Sequence, residues 1–311
     1  MAVKQIARCC KESDPDRLAG DVHHPPAVDL PPGLRLGSRG CWASSALIGR
    51  SAPNRPTAGV ESERRGGNGE KVVISAIVKA GRTLPQLYCF PHAGGSASEF
   101  SGWAPEGRGF GIVPVHLPGR GLRLGEPAGD DLLALAEQIA AELDVAAPYA
   151  LFGHSFGALL AYEVVRALQA AGRPAPVCLW LSAFPSPDRY PYADQDVHLL
   201  SDQELLRSLN ADFGAIPEEV FEYPELTAMV AGQLRSDYRM LAGYRFQRDP
   251  VPDCAVHLLA AADDTVDPEE LLAWGNHVRV AGVTTTFSGG HFYLRDQENV
   301  ARLLGLVAQS F

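Results

Sequence analysis

Ser155 lies in the segment Gly153-His154-Ser155-Phe156-Gly157, with a glycine two residues to either side of the serine. A serine hydroxyl is a weak nucleophile at neutral pH. It becomes an effective one when a base within hydrogen-bond reach takes its proton and a carboxylate orients that base. The five-residue spacing is common by itself, so its surroundings decide its meaning. Tyr149 to Phe152 reads as a buried strand, and Phe156 to Leu168 carries apolar residues at helical spacing, which puts Ser155 on a strand-to-helix turn. Glycines at 153 and 157 admit a turn too tight for side chains, and the start of the following helix favours developing negative charge.

A serine on such a turn has its partners downstream, in the order Ser, Asp, His. His291 follows Gly289-Gly290 and the run Val283 to Phe287, a loop position at a sheet edge, and is the expected base. The other histidines are less suited: His154 should point away from its neighbour's hydroxyl, His92 and His116 precede Ser155, His257 is mid-strand, and His198 and His277 fall in helical regions. The acid should follow the run Cys254 to Ala260, where Asp263, Asp264 and Asp267 all qualify; counting to the turn favours Asp264, with Asp263 second. An oxyanion needs two backbone donors. Phe156, next to the nucleophile, supplies one, and the small-residue loop Phe90-Pro-His-Ala-Gly-Gly-Ser-Ala-Ser98 supplies the other, nominated as Ala93.

These positions depend on the elements around them. Short apolar runs at 86–90, 112–117, 149–152, 177–182, 254–260 and 283–287 alternate with amphipathic stretches at 131–143 and 156–168. Strand and helix in alternation predict an α/β architecture with a mostly parallel, doubly wound sheet, here of the α/β-hydrolase kind. Residues 186–248 interrupt the alternation with helical stretches at 202–209, 217–222 and 226–241, a helical insertion expected to act as a lid.

Residues 1–70 are rich in Pro, Gly, Ser and charge, show no sustained period, and are expected to be a disordered extension ahead of one domain over 80–311. All four lysines precede residue 80. Residues 1–70 hold ten basic and eight acidic side chains, leaving 17 basic and 29 acidic in the rest, a net of −12. So acidic a domain argues against nucleic acid as the main partner. No apolar run has the length to span a membrane and the N-terminus lacks a signal-peptide core, so a cytoplasmic protein is expected. The six cysteines show no metal or disulfide spacing, and no metal or cofactor is expected.

The segments Phe90-Pro-His-Ala-Gly-Gly-Ser-Ala-Ser, Leu117-Pro-Gly-Arg-Gly-Leu-Arg with Glu126-Pro127, Gly153-His-Ser-Phe-Gly-Ala, Leu234-Arg-Ser-Asp-Tyr, Asp263-Asp264 with Trp274, and Gly289-Gly-His-Phe-Tyr-Leu294 together resemble the stand-alone type II thioesterases of polyketide and nonribosomal peptide synthesis. They span residues 85–311 in the family's order. The resemblance implies a triad of Ser155, Asp264 and His291, hydrolysis of acyl groups from the phosphopantetheine arm of an acyl or peptidyl carrier protein, and a role in clearing stalled or misprimed chains. The turn at 263–268 looks about one residue tighter than the family's, which keeps Asp263 in contention. A carrier is usually acidic, so Arg120 and Arg123 are candidates for a basic docking spot. The same triad would also serve an esterase or acyltransferase on small-molecule or CoA esters, and an inactive scaffold serving as a ligand receptor is a third reading.

Overall fold

The computed structural model describes residues 84–105, 107–146, 148–191 and 196–311. The expected extension over 1–70 and the expected boundary near residue 80 lie outside them. Strands β1 (Gln86–Phe90), β2 (Gly111–Pro114), β3 (Tyr149–His154), β4 (Cys178–Ser182), β5 (Ala255–Ala261), β6 (Arg279–Val280) and β7 (Thr285–Phe287) form one seven-stranded sheet. Its order is β2-β1-β3-β4-β5-β6, and β7 also pairs with β5. Every pairing among the described residues is parallel.

Parallel strands need crossovers, and helices covering both faces let strands be apolar throughout. All six residues of β3 and all five of β4 are buried. Alternate residues serve opposite cores: Tyr88, Phe90 and Leu151 join helices α1 (Leu132–Glu142) and α2 (Phe156–Ala170), whereas Leu87, Cys89 and Phe152 join Leu303, Leu304 and Val307 of the C-terminal helix Gln297–Ala308. Asp131 caps α1 by accepting from the amides of Leu133 and Ala134 at 2.8 and 3.1 Å.

Between β4 and β5 the chain forms helices α3 (Asp202–Phe213), α4 (Glu218–Glu222) and α5 (Pro224–Gly243), at the place the sequence assigns to a helical insertion. Ser201 and Glu204 close a capping box at the start of α3, and Gly214 ends it in the left-handed conformation. Helix α6 (Pro268–Leu272) and α7 (Gln297–Ala308) follow β5 and β7. The strand expected to reach Leu117 ends at Pro114, with one further bond from the Val115 amide to the Cys89 oxygen at 2.9 Å. Cys89, Cys178 and Cys254 are buried free thiols. No helix among the described residues is long and apolar enough to cross a membrane.

The order reverses between β1 and β3, the crevice where open parallel sheets hold ligands. There the chain approaches itself closely. A Cβ on Gly153 would lie 2.1 Å from the Gly157 oxygen, and one on Gly157 would lie 2.4 Å from the Phe90 oxygen. Gly153→Ala is therefore expected to cost about 1–3 kcal/mol of folding stability. Calorimetry would read this as a melting temperature several degrees lower, and an unchanged value would contradict the contact.

Candidate active site

Four loops meet at the C-terminal edge of the sheet, following β1, β3, β5 and β7. Ser155 leaves β3 with φ 54° and ψ −125°, a conformation rare for a residue with a side chain. Two backbone bonds hold it there: its amide donates to the Ser182 oxygen, and its oxygen accepts from Ala158, each at 2.8 Å. Strain of this kind, about 1–3 kcal/mol, persists only where the surroundings over-determine it. Phe156 is the first residue of α2, so its amide has no place in the helical ladder.

The loops after β5 and β7 are joined by an extension of the strand pairing. Ala261 pairs with Phe287, then the Ala262 amide donates to the Phe287 oxygen at 2.9 Å and the Asp263 amide to the Gly289 oxygen at 3.0 Å. Asp263 is thereby engaged through its backbone and its side chain is exposed. The next residue turns inward: Asp264 Oδ1 accepts from His291 Nδ1 at 2.8 Å and from the Val266 amide at 3.2 Å. Both side chains are nearly buried, 3% exposed for Asp264 and 6% for His291. A carboxylate only accepts, so Nδ1 carries the ring proton and Nε2 is the basic nitrogen. Asp267, the third acid considered from sequence, caps α6 instead, accepting from the Glu269 amide at 2.7 Å.

His291 sits in an aromatic surround. Its ring is 5.1 Å from that of His154, the residue before Ser155, and 5.2 Å from Phe292. Phe213, the last residue of α3, lies 4.7 Å from it, so the helical insertion reaches the site. An open groove of about 450 Å³ runs here, lined in part by Phe213, His291, Phe292 and Arg295. The loop behind His291 is fixed by Asn299 Nδ2, which donates to the oxygens of Ser288 and Tyr293 at 3.0 and 2.9 Å.

Ala93 lies in the loop after β1. In that loop the Gly95 amide donates to the His92 oxygen at 2.9 Å and the Gly94 amide to Asp237 Oδ2 at 2.7 Å. Among the described residues no acceptor meets the amide of Ala93 or of Phe156. The structure therefore brings Asp264 to His291, leaves Asp263 exposed, and gives neither nominated amide an acceptor among the described residues. No cluster of three or more metal-ligating side chains occurs among the described residues.

Arg120 and Arg123 are not a docking spot. They are 2% and 5% exposed, Arg120 paired with Asp237 and Arg123 with Glu126. Buried and paired within the chain, neither guanidinium is presented to a partner surface. Phe213 carries no signal of its own in sequence, whereas Asp237 falls in the segment Leu234-Arg-Ser-Asp-Tyr noted above. Asp237 does stand out in sequence, because it falls in the apolar stripe Leu234, Tyr238 and Leu241 of α5, all buried.

His154 is buried behind the nucleophile turn, its Nδ1 2.8 Å from Ser182 Oγ, which in turn lies 2.7 Å from the Tyr293 hydroxyl. Burial, and then the neighbouring His291 and His92, push its pKa well below the ordinary value. The fold thus favours neutral His154, while an unfolded histidine binds a proton below about pH 6.5. Its contribution is complete above that pH and is lost on acidification, at up to about 1.4 kcal/mol per pH unit. Denaturant titrations between pH 7.5 and 5 should show His154→Gln losing stability less steeply than the parent. Equal slopes would mean that His154 protonates within the fold.

A family model described as a thioesterase domain matches residues 85–310. The chain is 34% identical to the thioesterase PikA5 of Streptomyces venezuelae over 220 residues, 68% of this chain and 76% of that protein. The structure resembles the RedJ thioesterase from the prodiginine pathway of Streptomyces coelicolor, with a TM-score of 0.67 at 34% identity over 76% of this chain and 96% of that one. It also resembles BorB, a type II thioesterase from the borrelidin cluster, with a TM-score of 0.61 at 35% identity over 78% and 97% of the two chains.

Proposed function

The chain belongs to the thioesterase domain family, and on that premise we propose that it hydrolyses acyl groups from the phosphopantetheine arm of carrier proteins, with Ser155, His291 and Asp264 as its triad. It is a hydrolase by membership of the family. The observation that carries the assignment of residues is the 2.8 Å bond from His291 Nδ1 to Asp264 Oδ1, which orients a basic Nε2 in the loop beside the nucleophile turn. A carrier-bound substrate is supported by the relatives, whose names tie them to prodiginine and borrelidin synthesis. The enzyme would release stalled or misprimed chains in the cytoplasm, with residues 80–311 as its thioesterase domain.

Ser155 Oγ attacks the thioester carbonyl while His291 Nε2 takes its proton, and Asp264 stabilises the imidazolium that forms. The amides of Ala93 and Phe156 receive the oxyanion. As the intermediate collapses, the C–S bond breaks and the proton on His291 passes to the departing sulfur. Nε2 then deprotonates a water, which attacks the acyl-serine; the second collapse releases the carboxylic acid and restores Ser155. A thiol leaves with less need of protonation than an alcohol, so the demand on His291 is greatest when the nucleophile is activated. The helical insertion serves as the lid, with Phe213 against His291 limiting water.

Incubation with an acylated carrier should yield the free acid and, on rapid quenching, a mass increase of one acyl group on Ser155. Ser155→Ala should lose both. Asp264→Asn should lower kcat by up to about 10⁴-fold, and Asp263→Asn should stay near the parent. Full hydrolysis by Ser155→Ala, or a larger loss at Asp263 than at Asp264, would contradict these roles.

A further inference from the structure

Asp237 is fully buried on α5, 0% exposed, and Arg120 beside it is 2% exposed. Their fork is bidentate: Arg120 Nη1 donates to Asp237 Oδ2 at 2.7 Å and Nη2 to Oδ1 at 2.6 Å. Such a pair gains little net stability over apolar side chains of the same size, so its reason is better sought in what else it touches. Both partners touch the loop after β1. The Gly94 amide donates to Asp237 Oδ2 at 2.7 Å, and Arg120 Nη1 also donates to the Gly95 oxygen at 3.1 Å. The ion pair thus grips consecutive residues of the loop, one through its N–H and one through its C=O.

The same helix presses on the same loop one turn earlier. Gly94 has φ +72°, and a Cβ there would lie 2.6 Å from Leu234 Cδ2. Neighbouring residues of α5 hold the helix in place: Ser236 Oγ donates to the Gly129 oxygen at 2.8 Å, and Arg235 Nη2 to the Leu200 oxygen at 2.8 Å. The consequence is local. With the Gly94 amide engaged by a carboxylate and the Gly95 amide turned back to His92, the Ala93 amide beside them meets no acceptor among the described residues.

We infer that Asp237 and Arg120 are positioning residues for the oxyanion site, fixing the loop so that the Ala93 amide points at the developing oxyanion, and that the helical insertion is a structural part of the catalytic centre as well as its cover. This rests on the reading of Ser155 and Ala93 proposed above. A carboxylate at Gly94 also selects against the peptide orientation that would turn that N–H toward the substrate. Loss of the grip leaves the nucleophile and base intact and misaligns one oxyanion donor, an effect felt in the transition state more than in the bound substrate.

The test is a set of variants assayed for kcat and KM on an acylated carrier, with melting curves alongside. Asp237→Leu together with Arg120→Met removes both charges without stranding either. It is expected to melt cooperatively near the parent while kcat falls about 10- to 100-fold and KM changes less than about twofold. Asp237→Asn keeps an oxygen to accept from Gly94 and is expected to fall between that double variant and the parent. Full kcat in a folded double variant, a loss carried by KM instead of kcat, or an Asn variant slower than the double variant would overturn the inference. Should the double variant not melt cooperatively, Asp237→Asn alone decides at low temperature: reduced kcat at unchanged KM supports the role, and full kcat overturns it. Ser155→Ala in the same assay separates the two readings. If it stays active, the proposed function itself fails; if it is dead beside a fully active double variant, only the positioning role fails.

Discussion

Two α-carbons without side chains decide where the chemistry of this protein sits. Gly153 and Gly157 let the end of β3 and the start of α2 approach to distances no Cβ would allow, and Gly157 brings the same helix against the end of β1. The chain between them has one way through, which puts Ser155 at φ 54° with its amide tied to β4. Because β1 and β3 flank the point where the sheet order reverses, the loop after β1 arrives beside the same turn. The parallel arrangement then brings the ends of β5 and β7 to the same edge, so residues more than 130 apart in sequence converge without any element designed for that purpose alone.

Much of this was legible in the sequence because it depends on periodicity and on glycine. The runs that became β1, β3, β4 and β5, and the amphipathic stretches that became α1, α2 and the insertion helices, are long enough to declare their period. Three elements were not found this way. Strand β6, Arg279–Val280, and helix α6, Pro268–Leu272, are too short to show any period, whereas α7 has Val300, Leu303, Leu304 and Val307 at helical spacing and was open to the same reading. The carboxylate was harder. Asp263 and Asp264 are adjacent in the turn after β5, where no strand alternation decides between them. Which one meets His291 depends on the register between β5 and β7, and register is set by pairing that sequence counting cannot see.

Charge was the least legible feature. The acidic excess and the arginine positions can be counted, but a count does not tell a solvated arginine from one closed into a pair. Arg120 and Arg123 are candidates for a docking spot or for structural pairing by sequence; both are buried in forks with acids of this same chain. Arg166 behaves likewise, bonded to Glu163 at 2.8 Å and to the Pro250 oxygen at 3.1 Å, tying α2 to the segment that leads into β5. Buried pairs of this sort add little net stability, yet losing one partner is costly. They hold segments in register around the sheet edge, which the apolar core, being non-directional, cannot do by itself.

A site built for a thioester on a carrier arm is tested most directly by comparing kcat/KM for one acyl group presented three ways: on a carrier protein, on coenzyme A and as a simple oxygen ester. The carrier substrate should be fastest, by at least about tenfold over coenzyme A, or 1.4 kcal/mol, with the oxygen ester slowest. An oxygen ester hydrolysed as fast as the carrier thioester would contradict it and make the protein a general esterase using the same residues.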